Sequence, residues 1–184
     1  MEIEVSAEAK DKRLNRLIAI TVVILSVFTG LCNIKDGNIV QAMQAAQAAS
    51  IDTWNEYQAT KTKLHLAEAT RLQLATLAAP GRADAASAGL DKDIAKYKTE
   101  APDLAKAAKA QGDLYDALNV HDDQFDAGDA AISTAISLAA VAALAESAML
   151  LYAAWLFGVF GLFMGLNGFL GGSFHPAVLS TFLG

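Results

Sequence analysis

Two blocks of this chain are apolar, and a long polar stretch separates them. Residues 17–32, LIAITVVILSVFTGLC, carry no charge, and Leu14 and Ile34 extend the run on either side. A spanning helix needs roughly 20 residues, so 14–34 is long enough once Asn15, Arg16 and Asn33 reach the interfaces. The second block, 130–170, has Glu146 as its one charge in 41 residues. A single helix of that length would far exceed the thickness of a bilayer. Two spans fit instead, 129–147 and 148–170, with uninterrupted apolar stretches at 130–146 and 149–170 and a tight turn at Glu146-Ser147. Helices are the expected state, because lipid leaves no partner for open backbone groups.

The first block has a rival reading as a secretory signal peptide, since a basic flank and a short apolar run suit both. No A-x-A site follows, and Gly30-Leu31-Cys32 has Leu where a lipoprotein site wants a small residue. The segment is therefore expected to stay as an uncleaved anchor.

Between the blocks, residues 35–128 are polar and rich in alanine, 23 of 94. Alanine is the best helix former, with Leu, Lys, Gln and Glu close behind. From Asn38 to Ala79 there is neither glycine nor proline, and Pro80-Gly81 then signals a stop. Ile39, Met43, Ala46, Ile51, Trp54, Tyr57, Leu64, Leu72 and Leu77 recur mostly at threes, fours and sevens, which predicts one packing face. A second helix is predicted over Asp91–Leu118, with Pro102 or Gly112 as points of interruption and Ile94, Tyr97, Leu104, Ala108, Leu114 and Leu118 on its inner side. Residues 80–90 are then the loop. The expected class is all-α: three transmembrane helices and a long extramembrane helical hairpin, a coiled-coil-like stalk.

Charge sets the orientation and excludes some functions. Lys10, Lys12, Arg13 and Arg16 precede the first span within the N-terminal segment 1–13 and its boundary, whereas the far flank leads into a long domain exempt from the charge rule. The N-terminus is expected in the cytoplasm of a bacterial cell, the protein in the inner membrane, and 35–128 in the periplasm. Tyr152 and Trp155 would mark the cytoplasmic interface, and the apolar tail 171–184 would lie along the opposite one. A net charge of −6 argues against nucleic acid as a partner, because no strong cationic face is available for phosphates. A single cysteine, Cys32, excludes an internal disulfide framework.

Few residues invite a chemical role. Trp54, Tyr57 and Lys61 share a helical face at i, i+3 and i+7, flanked by Asp52 and Glu56. They read first as a helix-packing anchor, with Lys61 snorkelling, and second as a docking patch for a partner chain. Gly158, Gly161, Gly165, Gly168 and Gly172 are spaced 3, 4, 3 and 4 apart. Small residues let membrane helices approach closely, so this seam either closes the hairpin against Ala135, Ala139 and Ala142 or joins subunits. His121-Asp122-Asp123-Gln124-Phe125-Asp126 lacks the calcium-loop pattern. Asp126 and Asp129 read instead as N-terminal caps of the second span. Glu146 reads as solvated at its turn. No nucleophile–base pair, metal set or cofactor motif stands out, so no enzyme activity and no cofactor are expected.

Two motifs carry a resemblance. Residues 50–61, SIDTWNEYQATK, provide Ser50, Asp52, Trp54, Tyr57, Gln58, Ala59 and Lys61, with Ile51 and Thr60 as extra residues. Residues 132–170 form a hairpin ending in Leu166-Asn167-Gly168. Together they resemble the uncharacterised bacterial membrane-protein family known as domain-of-unknown-function family 4337, whose members pair an N-terminal span and long helix with such a terminal hairpin. The resemblance covers most of the chain and implies a small membrane protein with no assigned activity. The expected function is structural or accessory. The chain would act by helix–helix association with the bilayer, itself or other membrane-protein subunits as partners. The alternative is a small oligomeric channel or transport component, for which Ser133, Thr134, Ser137 and Asn167 are the candidate polar lining.

Overall fold

The computed structural model describes residues 2–77 and 83–174. They form three helices, α1 (Glu2–Leu77), α2 (Ala83–Leu144) and α3 (Ala148–Leu170), with no strand among the described residues. Each contains a stretch long and apolar enough to cross a membrane. The all-helical class and the three apolar helices agree with the sequence pattern.

Element boundaries differ from the expected ones in informative ways. Helix α1 runs without a break from the N-terminal polar segment into the alanine-rich region. Helix α2 passes through Pro102 and Gly112 and continues into the second apolar block. Pro102 removes one backbone donor, but it sits on an exposed face where water can serve the orphaned carbonyl. Because α2 is continuous, the backbone N–H groups around Asp126 and Asp129 are spent within the helix. These two residues cap nothing, and that expectation is corrected. Residues 83–90, expected in the loop, belong to α2. Residues 78–82 and most of the expected interfacial tail, 175–184, lie outside the described residues.

The chain divides into two compact units, one from Met1–Gln41 and Ala117–Gly184, the other from Ala42–Asp116. The division falls inside the polar section, so residues 35–41 and 117–128 pack with the apolar helices rather than with the hairpin.

In the first unit, buried α1 positions keep a seven-residue spacing: Ile18, Leu25, Cys32 and Ile39. One core cluster joins Ile18, Ala139, Ala142, Leu151 and Ala154, and another joins Leu25, Ile132 and Ala135. The interior is dominated by small residues, while Ile20, Val23, Val27, Leu156, Val159 and Phe163 are exposed. Large apolar groups outside and small ones inside is the reverse of a water-soluble bundle.

The second unit is a two-helix hairpin. Its antiparallel register is set by Ser50 Oγ donating to the Ala108 carbonyl (3.2 Å), Lys98 Nζ on Glu68 (2.9 Å) and Arg71 on Asp91. Met43, Ala46, Thr60, Leu64 and Ala67 of α1 are buried, as are Ala101 and Ala108 of α2.

Candidate functional site

The glycine seam of α3 is closely packed by residues of the same chain. Gly158, Gly161, Gly165 and Gly168 are all buried. A Cβ on Gly158 would lie 3.2 Å from Leu25 of α1, and one on Gly165 would lie 2.6 Å from Phe28 and 2.9 Å from Cys32 Sγ. On the other side, a Cβ on Gly161 would meet the Gly128 carbonyl oxygen at 2.8 Å, and one on Gly168 would meet Phe125 at 2.8 Å. Successive glycines thus alternate between α1 and α2, so α3 packs into both. Ala135, read as part of the facing small surface, lies 3.7 Å from the same Gly158 position. These contacts support the reading of Gly158, Gly161, Gly165 and Gly168 as closure within the chain.

The end of α3 is locked by polar contacts that sequence reading missed. Gly171 takes a left-handed conformation at φ 70°, and the Gly172 N–H returns to the Asn167 carbonyl at 2.9 Å. Asn167 then lies against Gly172, where any Cβ would overlap its amide. Gln124 is fully buried, and its Nε2 donates to the carbonyls of Gly172 (2.8 Å) and Phe174 (2.7 Å). Its Oε1 lies 3.0 Å from His121 Nδ1. A buried amide with both ends satisfied is stabilising, whereas an unsatisfied one is costly. In the Leu166-Asn167-Gly168 motif, Gly168 admits Phe125, the Asn167 backbone carbonyl accepts the cap bond, and its side-chain Nδ2 donates to the Phe174 carbonyl at 3.5 Å.

Carboxylates gather at this same end. Burial, reinforced by the charges of Asp122 and Asp126, a hydrogen bond with Asp122 and the charge of Asp129, raises the Asp36 carboxyl to about 6. Burial also raises Asp122, with Asp123 adding to it while the Asp36 hydrogen bond opposes it. Asp126 is raised by burial and by the charges of Asp122, Asp123 and Asp129. No group of three His, Cys, Asp or Glu among the described residues has metal-binding geometry.

At the opposite end of the unit, Arg13, Leu14 and Leu17 of α1 meet Glu146 in the turn and Leu151, Tyr152 and Trp155 of α3 around one groove. Trp155 Nε1 donates to Thr21 Oγ1 at 2.8 Å. Arg13 of the basic flank and Glu146 of the turn thus line the same end of this unit, without an ion pair between them.

Trp54 departs from its expected place. It is 40% exposed and stacks edge-on with Tyr57 at 5.3 Å, while Ile51, Leu72, Leu77 and Leu114 are also exposed. Tyr57 and Lys61 are half-buried and border a groove with His65, Glu68 and Lys98. The hairpin seam runs through Ser50, Thr53, Tyr57, Thr60 and Leu64 instead, one position away from Ile51 and Trp54. The candidate channel hydroxyls are turned outward and inward-bonded: Thr134 Oγ1 donates to the Ala130 carbonyl and Ser137 Oγ to the Ser133 carbonyl.

Neither the curated proteins nor the solved structures contain a match to this chain. The family model described as domain of unknown function (DUF4337) matches residues 14–171. That match takes in all three apolar stretches, the Trp54 region and the Asn167 cap, and the chain belongs to this family.

Proposed function

We propose that the protein is a three-span integral membrane protein of a bacterial inner membrane that acts by helix–helix association, as a structural or accessory subunit. The carrying observation is the inverted first unit, with alanines and glycines buried and Ile20, Val23, Val27, Leu156, Val159 and Phe163 exposed. In water such a surface would be a large aggregation liability; in lipid it costs nothing, and small interior residues give close packing. Outward hydroxyls bonded to their own helix suit lipid contact better than a pore lining.

Association falls to the hairpin, because the glycine seam is consumed within the chain. Its buried residues Ala46, Thr60 and Ala67 on α1 and Ala101 and Ala108 on α2 recur at multiples of seven, a spacing that suits a coiled-coil stalk, and Ile51 and Trp54 stand outside its seam as exposed apolar groups. The partner is a second copy or another membrane-protein subunit. Native mass spectrometry after gentle solubilisation is the test. Ile51→Ser with Trp54→Ser should shift the distribution toward the single chain or strip a foreign subunit, while Gly158→Ala should not. Unchanged copy number and partners in the double variant would contradict the assignment to this face.

A further inference from the structure

The groove at the Arg13–Glu146 end has features of a lipid site, an inference that rests on the spanning reading above. It encloses about 460 Å³ between α1 and α3. Arg13 and Glu146 stand at its rim, opposite charges with no hydrogen bond or ion pair between them or to other described residues. Leu14, Leu17 and Leu151 form its apolar side. Beyond Trp155, a second hollow of about 130 Å³ continues between the same helices, bounded by Ile24, Gly158, Val159 and Leu162. Trp155 borders both hollows, so they adjoin along the α1–α3 contact. Polarity thus falls along the groove, from a charged rim through Trp155, bonded to Thr21, to a hollow whose other lining residues are apolar. Gly158 of α3 and Leu25 of α1 both line the deeper hollow.

We propose that this groove binds one phospholipid with a primary-amine zwitterionic headgroup, its phosphate on Arg13, its ammonium on Glu146 and an acyl chain along Gly158 and Val159. Arginine recognises phosphate oxygens through its planar fork of donors. A carboxylate is an acceptor only, so it hydrogen-bonds a primary ammonium but not a quaternary one. Tyr152 and Trp155 suit the interface depth, where amphipathic rings concentrate. An anionic headgroup would meet Arg13 equally but would be repelled by Glu146. Glu146 is also the single non-glycine described residue with positive φ, 50°. A carboxylate is therefore held where glycine would relieve backbone strain.

Tryptophan quenching tests this directly. The Trp54→Phe chain leaves Trp155 as the sole tryptophan. It is reconstituted into phosphatidylcholine vesicles containing a small fixed fraction of brominated-acyl lipid with a phosphoethanolamine, phosphocholine or phosphoglycerol head. Brominated phosphoethanolamine lipid should quench Trp155 several-fold beyond its share of the bilayer, the other two in proportion to theirs. Glu146→Gln should bring phosphoethanolamine down to the level of the others, and Arg13→Gln should abolish the excess altogether. Both side chains are exposed, and circular dichroism of each variant confirms that the helices remain. Proportional quenching by all three heads, a preference for phosphoglycerol, or a preference that survives Glu146→Gln would overturn the proposal. Flotation with unbrominated vesicles is read first. A chain that fails to float refutes the spanning reading, whereas one that floats and shows proportional quenching refutes the lipid site alone.

Discussion

At Gly161 the fold leaves no room for one methyl group. A Cβ there would press on the Gly128 carbonyl and on the Ile132 backbone nitrogen at 3.2 Å, atoms that cannot move without moving α2. At Gly158 the nearest atom is the tip of Leu25, a flexible side chain. Gly161→Ala should therefore cost about 1–3 kcal/mol, the range for overpacking a filled core, and Gly158→Ala much less. Thermal unfolding in detergent separates the two, and equal losses would mean that rigid contact is not what distinguishes the sites. Asp36 gives the residue-scale pH prediction. Its folded carboxyl is raised to about 6 from an ordinary value of 3.8, so the folded chain holds that proton more tightly than the unfolded one. The resulting penalty is full above pH 6 and is relieved as pH falls toward 4; raised Asp122 and Asp126 act in the same direction. The Tm should rise between pH 7 and pH 5, and Asp36→Asn should flatten that rise. A Tm that falls over this window would contradict the buried carboxyl cluster.

The helices themselves were largely legible in the sequence, because their length and uncharged runs leave lipid-compatible helices as the main option. Ile39, Met43, Ala46 and Leu64 were read on the packing face and are buried there. Ile51, Trp54, Leu72 and Leu77 were not. The bulky residue draws the eye, yet the seam takes Ser50, Thr53 and Thr60, whose small size lets Ser50 reach the Ala108 carbonyl. Apolar bulk is a poor guide where close backbone approach decides the register. The Gln124 latch was equally hidden, since a glutamine 48 residues from its acceptor Gly172 leaves no local pattern. The sequence pattern ends the second helix at Leu118 and allows an interruption at Pro102 or Gly112, whereas α2 runs unbroken through both from Ala83 to Leu144. The corrected seam changes an expected energy. Fully buried, Trp54→Ala would cost roughly 3–5 kcal/mol. At 40% exposure, with Tyr57 as its ring partner, it should cost about 1 kcal/mol. Leu64→Ala, at 5% exposure, should cost about 2–5 kcal/mol. Urea or thermal unfolding of the two variants should rank them in that order, and the reverse order would return Trp54 to the core.

For the whole molecule, charge is distributed along the first unit in a way that bears on topology. Lys12, Arg13 and Arg16 precede the first apolar stretch, and Arg13 lines one groove with Glu146 of the turn. Asp36, Asp122, Asp123, Asp126 and Asp129 lie at the other end of the same helices, with the Gln124 latch. Basic flanks stay in the cytoplasm, so the proposed topology puts the basic end of this unit inside and its acidic end outside. Site-directed cysteine labelling in cells, in a Cys32→Ala background, measures this arrangement most directly. Cysteines at Ala88 and Ser173 should react with a membrane-impermeant reagent in intact cells, and one at Ala145 only after permeabilisation. Reaction at Ala145 in intact cells with protection at Ala88, or the same accessibility at all three positions, would contradict the three-span account.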